Sequence, residues 1–414
     1  MSAEGNQGTN ILLPSARIAV FSMDGETISS AETLLDDWRF ARVEVKAIKG
    51  DVEAAISAYQ EESSPDLLII QTEDINDAFT ERLGELSGYC DEGTAAIIVG
   101  PVNDVYLYRK LIDMGISDYL VKPIKPEIIS EVIAKALITR LGVSDSALIA
   151  FIGAKGGVGV SALAQLSSCL ASKKMGQKCI LVDGGGGWAS SSVGLGYDPA
   201  ATFPEVARAV SAGNEDTLKR MIQVVNEKLS VLATGSDAML DPSISAEQAE
   251  SILDNLMVKF PVVLVDLSSS PTSVRKAVLG RASRVVVVST PTVTSLRFCR
   301  SLLKEISDIR GGKTDVVSLV LNKCGLSKGH EVSKADVENA IEFKVSSTID
   351  NIPQVFLKHE SNIAGIAADK DGGVVVTAIL PILGEAITSA DVDGEPSDKN
   401  SGILGGFLNK ITAK

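Results

Sequence analysis

From Arg17 onward, short apolar runs alternate with segments whose apolar residues recur at helical spacing. The first runs cover 18–21, 43–48, 67–70, 95–99 and 119–121. Helix-period segments follow them at 28–38, 51–60, 76–86, 104–114 and 125–141. Five such repeats predict a small, doubly wound α/β domain over 16–141, preceded by a flexible arm over 1–15. After a short polar join at 142–146 the alternation resumes, with runs at 148–152, 179–182, 229–232, 262–265, 285–288 and 316–321. These are near-continuous Val, Ile and Leu, the pattern of strands buried on both faces. A second doubly wound domain with a parallel sheet is therefore expected over 147–387. An acidic linker at 388–401 leads to 402–414, where Ile403, Leu404, Phe407, Leu408 and Ile411 form one stripe of an expected helix flanked by Lys410 and Lys414.

Composition supports this layout and removes several classes of function. The chain has 414 residues and 45% hydrophobic content but only 4% aromatics, which suits stacked parallel sheet and helix. A formal charge of −14 argues against a general nucleic-acid binder. The five cysteines contain no CxxC pair and read as small buried hydrophobes in a reducing compartment. His330 and His359 lack metal-ligand spacing. The first 15 residues do not read as a signal peptide, and no apolar run reaches the roughly 18 residues of a membrane span. The expected location is cytoplasmic, including the cytoplasmic side of a membrane.

The chemistry centres on Phe151-Ile-Gly-Ala-Lys-Gly-Gly-Val-Gly-Val-Ser161. An apolar strand, a glycine turn and a helix beginning at Ser161 make the geometry that cradles phosphate: glycines let the backbone approach, and amides at the helix start point at the anion. The general phosphate loop ends Gly-Lys-Ser/Thr, whereas here Gly159-Val160-Ser161 lacks the lysine. One charge-assisted contact is worth about 1.5–3 kcal/mol, so its loss should cost roughly ten- to a hundredfold in affinity. The same residues also read Gly157-Val-Gly159-Val-Ser-Ala162, a dinucleotide fingerprint, with Asp183 ending the next run as a ribose-binding acid would. A nicotinamide-dependent oxidoreductase is thus an alternative.

The loop resembles the deviant Walker A of ParA/MinD ATPases. That resemblance implies ATP and Mg2+ as ligands, bound by Lys155, Gly156, Gly157, Val158, Gly159, Val160, Ser161 and Ala162. By the same resemblance Lys155 reaches a partner's phosphates across a nucleotide-sandwich homodimer, and Ser161 ligates magnesium. Phe260-Pro-Val-Val-Leu-Val-Asp266 resembles a Walker B strand, which makes Asp266 the second magnesium residue. Lys178-Cys-Ile-Leu-Val-Asp183 resembles the family's second strand, but Gly185 stands where a water-orienting aspartate is usual. Lys155 and Asp183 are the remaining catalytic candidates. Asn322-Lys323 resembles the family's adenine-reading pair.

The first domain resembles the receiver of response regulators, through Pro65-Asp-Leu-Leu-Ile-Ile70 and Met114-Gly-Ile-Ser-Asp-Tyr-Leu-Val-Lys122-Pro123. Gln71 replaces the acceptor aspartate, Gly100 replaces the switch hydroxyl, and only Asp24 remains of an acidic pair. A docking or dimerising pseudo-receiver is expected. A receiver-like domain before Val285-Val-Val-Val-Ser-Thr-Pro291-Thr-Val-Thr-Ser295-Leu-Arg297 is similar to CpaE/TadZ, the ParA/MinD-like proteins of Flp (Tad) pilus assembly. The resemblance implies an ATP-binding, dimerising localisation factor with weak or no hydrolysis, found at the cell pole and peripheral to the inner membrane. Its implied partners are pilus secretion proteins and, through 402–414, a membrane surface or a protein. An active ParA/MinD-type ATPase cycling on a surface is the other alternative.

Overall fold

A computed structural model describes residues 13, 16–91, 93–140, 146–185, 189–235, 243–327 and 329–391. The expected C-terminal helix and most of the N-terminal arm, join and linker fall outside these residues. Leu13, placed in the arm by the sequence, is fully buried and donates its amide to the Arg39 carbonyl. At the other end, the last helix runs on to Asp391, so the first four residues of the expected linker are helical.

The first sheet is built from β1 (Ala16–Ser22), β2 (Val43–Lys49), β3 (Leu67–Gln71), β4 (Ala95–Gly100) and β5 (Asp118–Val121). All are parallel, in the order β2-β1-β3-β4-β5. The helices α1 (Gly25–Glu32), α2 (Val52–Tyr59), α3 (Asp77–Ser87), α4 (Val105–Asp113) and α5 (Pro126–Arg140) cover its two faces. The helix expected over 28–38 stops earlier. Asp37 turns extended and caps a following 3-10 turn at Trp38–Phe40 through Arg39 N.

The second sheet has eight strands. They are β6 (Ala147–Gly153), β7 (Cys179–Asp183), β8 (Gln223–Asn226), β9 (Leu229–Ala233), β10 (Val262–Asp266), β11 (Arg284–Ser289), β12 (Val317–Cys324) and β13 (Val345–Asp350). Their order is β13-β12-β11-β6-β10-β7-β9-β8, parallel throughout except for the β8–β9 pair. Sequence patterning missed both edge strands for one physical reason. An edge strand has one ladder side and part of its surface in water, so β8 is short and half-exposed and β13 alternates, neither being continuously apolar. Around the sheet pack α6 (Val160–Lys173), α7 (Ser191–Leu195), α8 (Phe203–Ser211), α9 (Glu215–Met221), α10 (Ala246–Lys259), α11 (Thr272–Arg281), α12 (Val293–Ile309), α13 (Lys334–Ile341), α14 (Pro353–Lys358) and α15 (Gly373–Asp391). Two apolar clusters sandwich the sheet, one on the α8/α10/α11/α12 face and one on the α6/α15 face.

Cys169, Cys179 and Cys299 lie inside these clusters. Burial pushes the thiols of Cys169 and Cys299 up to about 11 and that of Cys179 up to about 12, as expected of core residues. The two domains touch through Arg42, whose guanidinium lies 2.6 Å from Glu250 on α10, and through Arg310, which sits over the Trp38 ring at 5.9 Å. Burial dominates the ion pair, holding Glu250 above and Arg42 below their ordinary values.

Candidate functional site

At the carboxyl ends of the first sheet, the position of the missing acceptor is sealed. Gln71 is 2% exposed. Its Oε1 accepts from Ser22 Oγ and Met23 N, both at 3.1 Å, and its Nε2 donates to Glu73 Oε1 at 2.7 Å. Lys122 Nζ donates to Glu73 at 2.8 Å and lies 3.1 Å from Asp24 Oδ2, and these contacts, that to Glu73 first, hold its ammonium above the ordinary value. Asp24 is also the N-cap of α1, accepting from Glu26 N and Thr27 Oγ1. At Gly100 a Cβ would stand 2.7 Å from Tyr119 Oη, so the aromatic ring fills the space of the missing hydroxyl side chain. Tyr119 is fixed inward by donating to Val102 O at 2.8 Å. An amide cannot become an acyl phosphate, and both lysine and acid are engaged. Acetyl phosphate should therefore leave the full-length protein unlabelled by intact-mass analysis; a phosphoaspartyl adduct on any residue of 16–140 would contradict this.

The second site is the loop between β6 and α6. Gly157 and Gly159 hold φ of +78° and +98°, the left-handed region in which glycine carries no Cβ penalty. Gly159 is the N-cap of α6, so the first amides of that helix point into a cleft of about 680 Å³. Lys155 through Ala162 line this cleft. Lys155 is exposed, its Nζ 3.4 Å from the Gly156 carbonyl. Val160 is buried and turned toward the end of β6, where a Cβ on Gly153 would meet its Cγ2 at 2.6 Å. It cannot act on a phosphate.

Asn322 and Lys323, expected to read a base, brace the loop from the end of β12. Asn322 is 4% exposed. Its Nδ2 donates to Val158 O at 2.8 Å and its Oδ1 accepts from Lys323 N at 2.9 Å. Lys323, itself at φ +58°, donates from Nζ to Gly157 O at 2.7 Å. Neither lines the cleft.

Parallel pairing of β10 with β7 sets Asp266 beside Asp183, each 1% exposed. Asp183 accepts from the amides of Gly185 at 3.1 Å and Ser191 at 3.0 Å, anchoring the chain after β7 and the start of α7. Gly185 thus contributes an amide where a water-orienting carboxylate would stand. Asp266 Oδ1 accepts from Ser268 N at 2.9 Å, whereas its Oδ2 is buried with no protein partner. Burial first, and then the charge of Asp183, raise the Asp266 carboxyl above the ordinary carboxylate value. Ser161 Oγ lies 3.0 Å from Ser268 Oγ, on the same side of the loop. A buried carboxylate oxygen outside hydrogen-bond geometry, with the Ser161 and Ser268 hydroxyls close enough to lower its carboxyl, fits a divalent cation that Asp266 and Ser161 would hold.

Sequence reading missed Ser268 and Arg275, both of which line the cleft. The available signal was position alone: the turn after a Walker B strand leads back over the loop.

Strand order rules out the dinucleotide reading. In a dinucleotide fold the fingerprint strand and the strand carrying the ribose acid are neighbours. Here β10 lies between β6 and β7, and both oxygens of Asp183 are held by backbone amides.

No family model matches the chain. It is 25% identical over 181 residues to the septum site-determining protein MinD of Synechocystis sp. PCC 6803, spanning 42% of this chain and 64%, under two thirds, of that protein. The crystal structure of the pilus assembly protein CpaE from Caulobacter crescentus CB15 is 32% identical over 30% of this chain and 93% of that one, with a TM-score of 0.29. The CpaE2 pilus assembly protein from Sinorhizobium meliloti 1021 is 35% identical over 30% of this chain and 98% of that one, with a TM-score of 0.28. Because identity at this level runs through almost the whole of two solved CpaE chains, this chain belongs to the CpaE family of ParA/MinD-like proteins.

Proposed function

We propose that the chain is an ATP-binding, dimerising scaffold for pilus assembly that hydrolyses ATP weakly or not at all. The observation that carries this reading is a formed phosphate loop that lacks both catalytic side chains. Backbone amides of Gly156 to Val160 converge on the cleft, but Val160 is buried beneath the loop and Gly185 offers only an amide. Ser161 and Asp266 would hold a magnesium ion, which supplies charge neutralisation between phosphates. Lys155, exposed at the loop, is free to reach the phosphates bound by a second copy. Pilus assembly and a polar site at the inner membrane come from the CpaE relatives' names and the family resemblance. No helix among the described residues is long and apolar enough to cross a membrane, so attachment would rest on 402–414.

The test is ATP titration and turnover on the full-length protein. The expected results are Mg-ATP binding, a shift from monomer to dimer that Lys155→Ala abolishes, and phosphate release near the buffer rate. Sustained hydrolysis lost on Lys155→Ala would establish the cycling ATPase instead.

A further inference from the structure

The loop has lost its lysine, yet phosphates bound there would still require a cation. Among the described residues that line the cleft, the basic ones are Lys155 and Arg275. Lys155 is exposed and sits at the outer rim of the loop. Lys323 carries charge close by, but its Nζ is spent on the Gly157 carbonyl from outside the cleft. Arg275 is placed differently. It projects from the first turn of α11, immediately after the turn that follows Asp266. Val274, Ala277 and Val278 on the same helix are buried in the core, and this packing sets the direction of Arg275.

Three observations define its state. Arg275 is half-buried. Its Nη2 makes one long contact, 3.4 Å, to the Ser268 carbonyl, and its Nε is buried with no hydrogen-bond partner. No carboxylate pairs with it among the described residues, although Glu360 lies on the cleft wall. A guanidinium that is desolvated at Nε and lacks an anion is costly unless a ligand completes it. Ser268 also locates it. The same residue whose carbonyl touches Arg275 places its hydroxyl 3.0 Å from Ser161 Oγ, the expected magnesium ligand. Arg275 therefore stands at the metal-binding end of the cleft, where the outer phosphates of a nucleotide would lie.

Resting on the nucleotide-binding reading, we propose that Arg275 is the in-cis phosphate-binding residue that replaces the missing loop lysine, and that it acts on the terminal phosphate of a nucleoside triphosphate. A guanidinium suits this place better than an ammonium, since its planar fork can donate two parallel bonds to one phosphate. It approaches from the Walker B side, which leaves Val160 free to become a packing residue. Both departures then belong to one rearrangement of the site.

The experiment compares wild-type full-length protein with Arg275→Gln and Arg275→Lys, titrated with Mg-ATP, Mg-ADP and adenosine by calorimetry, with melting temperatures recorded for each. Arg275→Gln should weaken Mg-ATP by about ten- to a hundredfold, the value of one charge-assisted contact. Mg-ADP should weaken much less, adenosine should be unchanged, and Arg275→Lys should fall between. Unchanged Mg-ATP affinity in Arg275→Gln, with the wild type binding normally, overturns the role of Arg275 and leaves the nucleotide reading standing. Equal losses for all three ligands mark a structural residue and also overturn it. A wild type that binds neither nucleotide removes the underlying reading and this inference with it.

Discussion

Replacing Arg310 with alanine is expected to cost about 2–5 kcal/mol of stability, from buried carbonyls left without a donor and from the cavity it opens. Arg310 is fully buried, the largest such side chain among the described residues. Its Nη1 donates to the carbonyls of Leu279 at 2.7 Å, Gly280 at 3.4 Å and Ala282 at 3.1 Å. These belong to the last turn and cap of α11, where carbonyls have no partner within the helix. A cation there also meets the negative end of the helix dipole. Alanine would leave these acceptors buried and open a cavity. Burial pushes the guanidinium down to about 10, so it is still charged at neutral pH. The same group lies over Trp38 of the first domain, and a Cβ on Gly311 would strike that ring at 2.5 Å. Urea unfolding of Arg310→Ala, followed by tryptophan emission, should show a lowered midpoint. An unfolding free energy within about 1 kcal/mol of wild type would contradict the capping role.

Substituting Gly159 by alanine should have the largest effect on nucleotide binding. At φ +98° an L-residue is strained by roughly 1–2 kcal/mol, and its Cβ would stand 2.5 Å from Asn322 Nδ2. Displacing Asn322 would break its bond to the Val158 carbonyl, a further cost of about 1–3 kcal/mol if that group stays buried. Either change turns the first α6 amides away from the cleft. Together these terms predict a loss of roughly a hundredfold or more in Mg-ATP affinity. Asn322→Ala is the companion variant: it removes the donor to the Val158 carbonyl and leaves the glycine in place. It should show part of the loss seen in Gly159→Ala. Unchanged Mg-ATP affinity in Gly159→Ala would contradict the role of this backbone position.

Much of the architecture was legible because strands buried on both faces must be apolar throughout. The runs at 148–152, 262–265 and 285–288 lie inside β6, β10 and β11. The loop was legible for a similar local reason, since only glycine tolerates the backbone it needs at Gly157 and Gly159. Val160, Gly185 and Gln71 could be recognised as departures because each changes the chemistry of its own position. The edge strands were not legible, because half-exposed strands lose the apolar run that marks the central ones.

Sequence by itself determined the two runs of α/β repeats, the phosphate loop and the side chains that loop does without, because these depend on residue type and near neighbours. Only the tertiary structure decided what stands beside them. It set β10 between β6 and β7 and so removed the dinucleotide reading. It turned Asn322 onto Val158, Asp183 onto two amides and Lys122 onto Glu73. It also brought Arg275 to the loop across more than a hundred residues of chain. Such pairings depend on strand order and helix packing, which join positions far apart in sequence and leave no periodic trace in it.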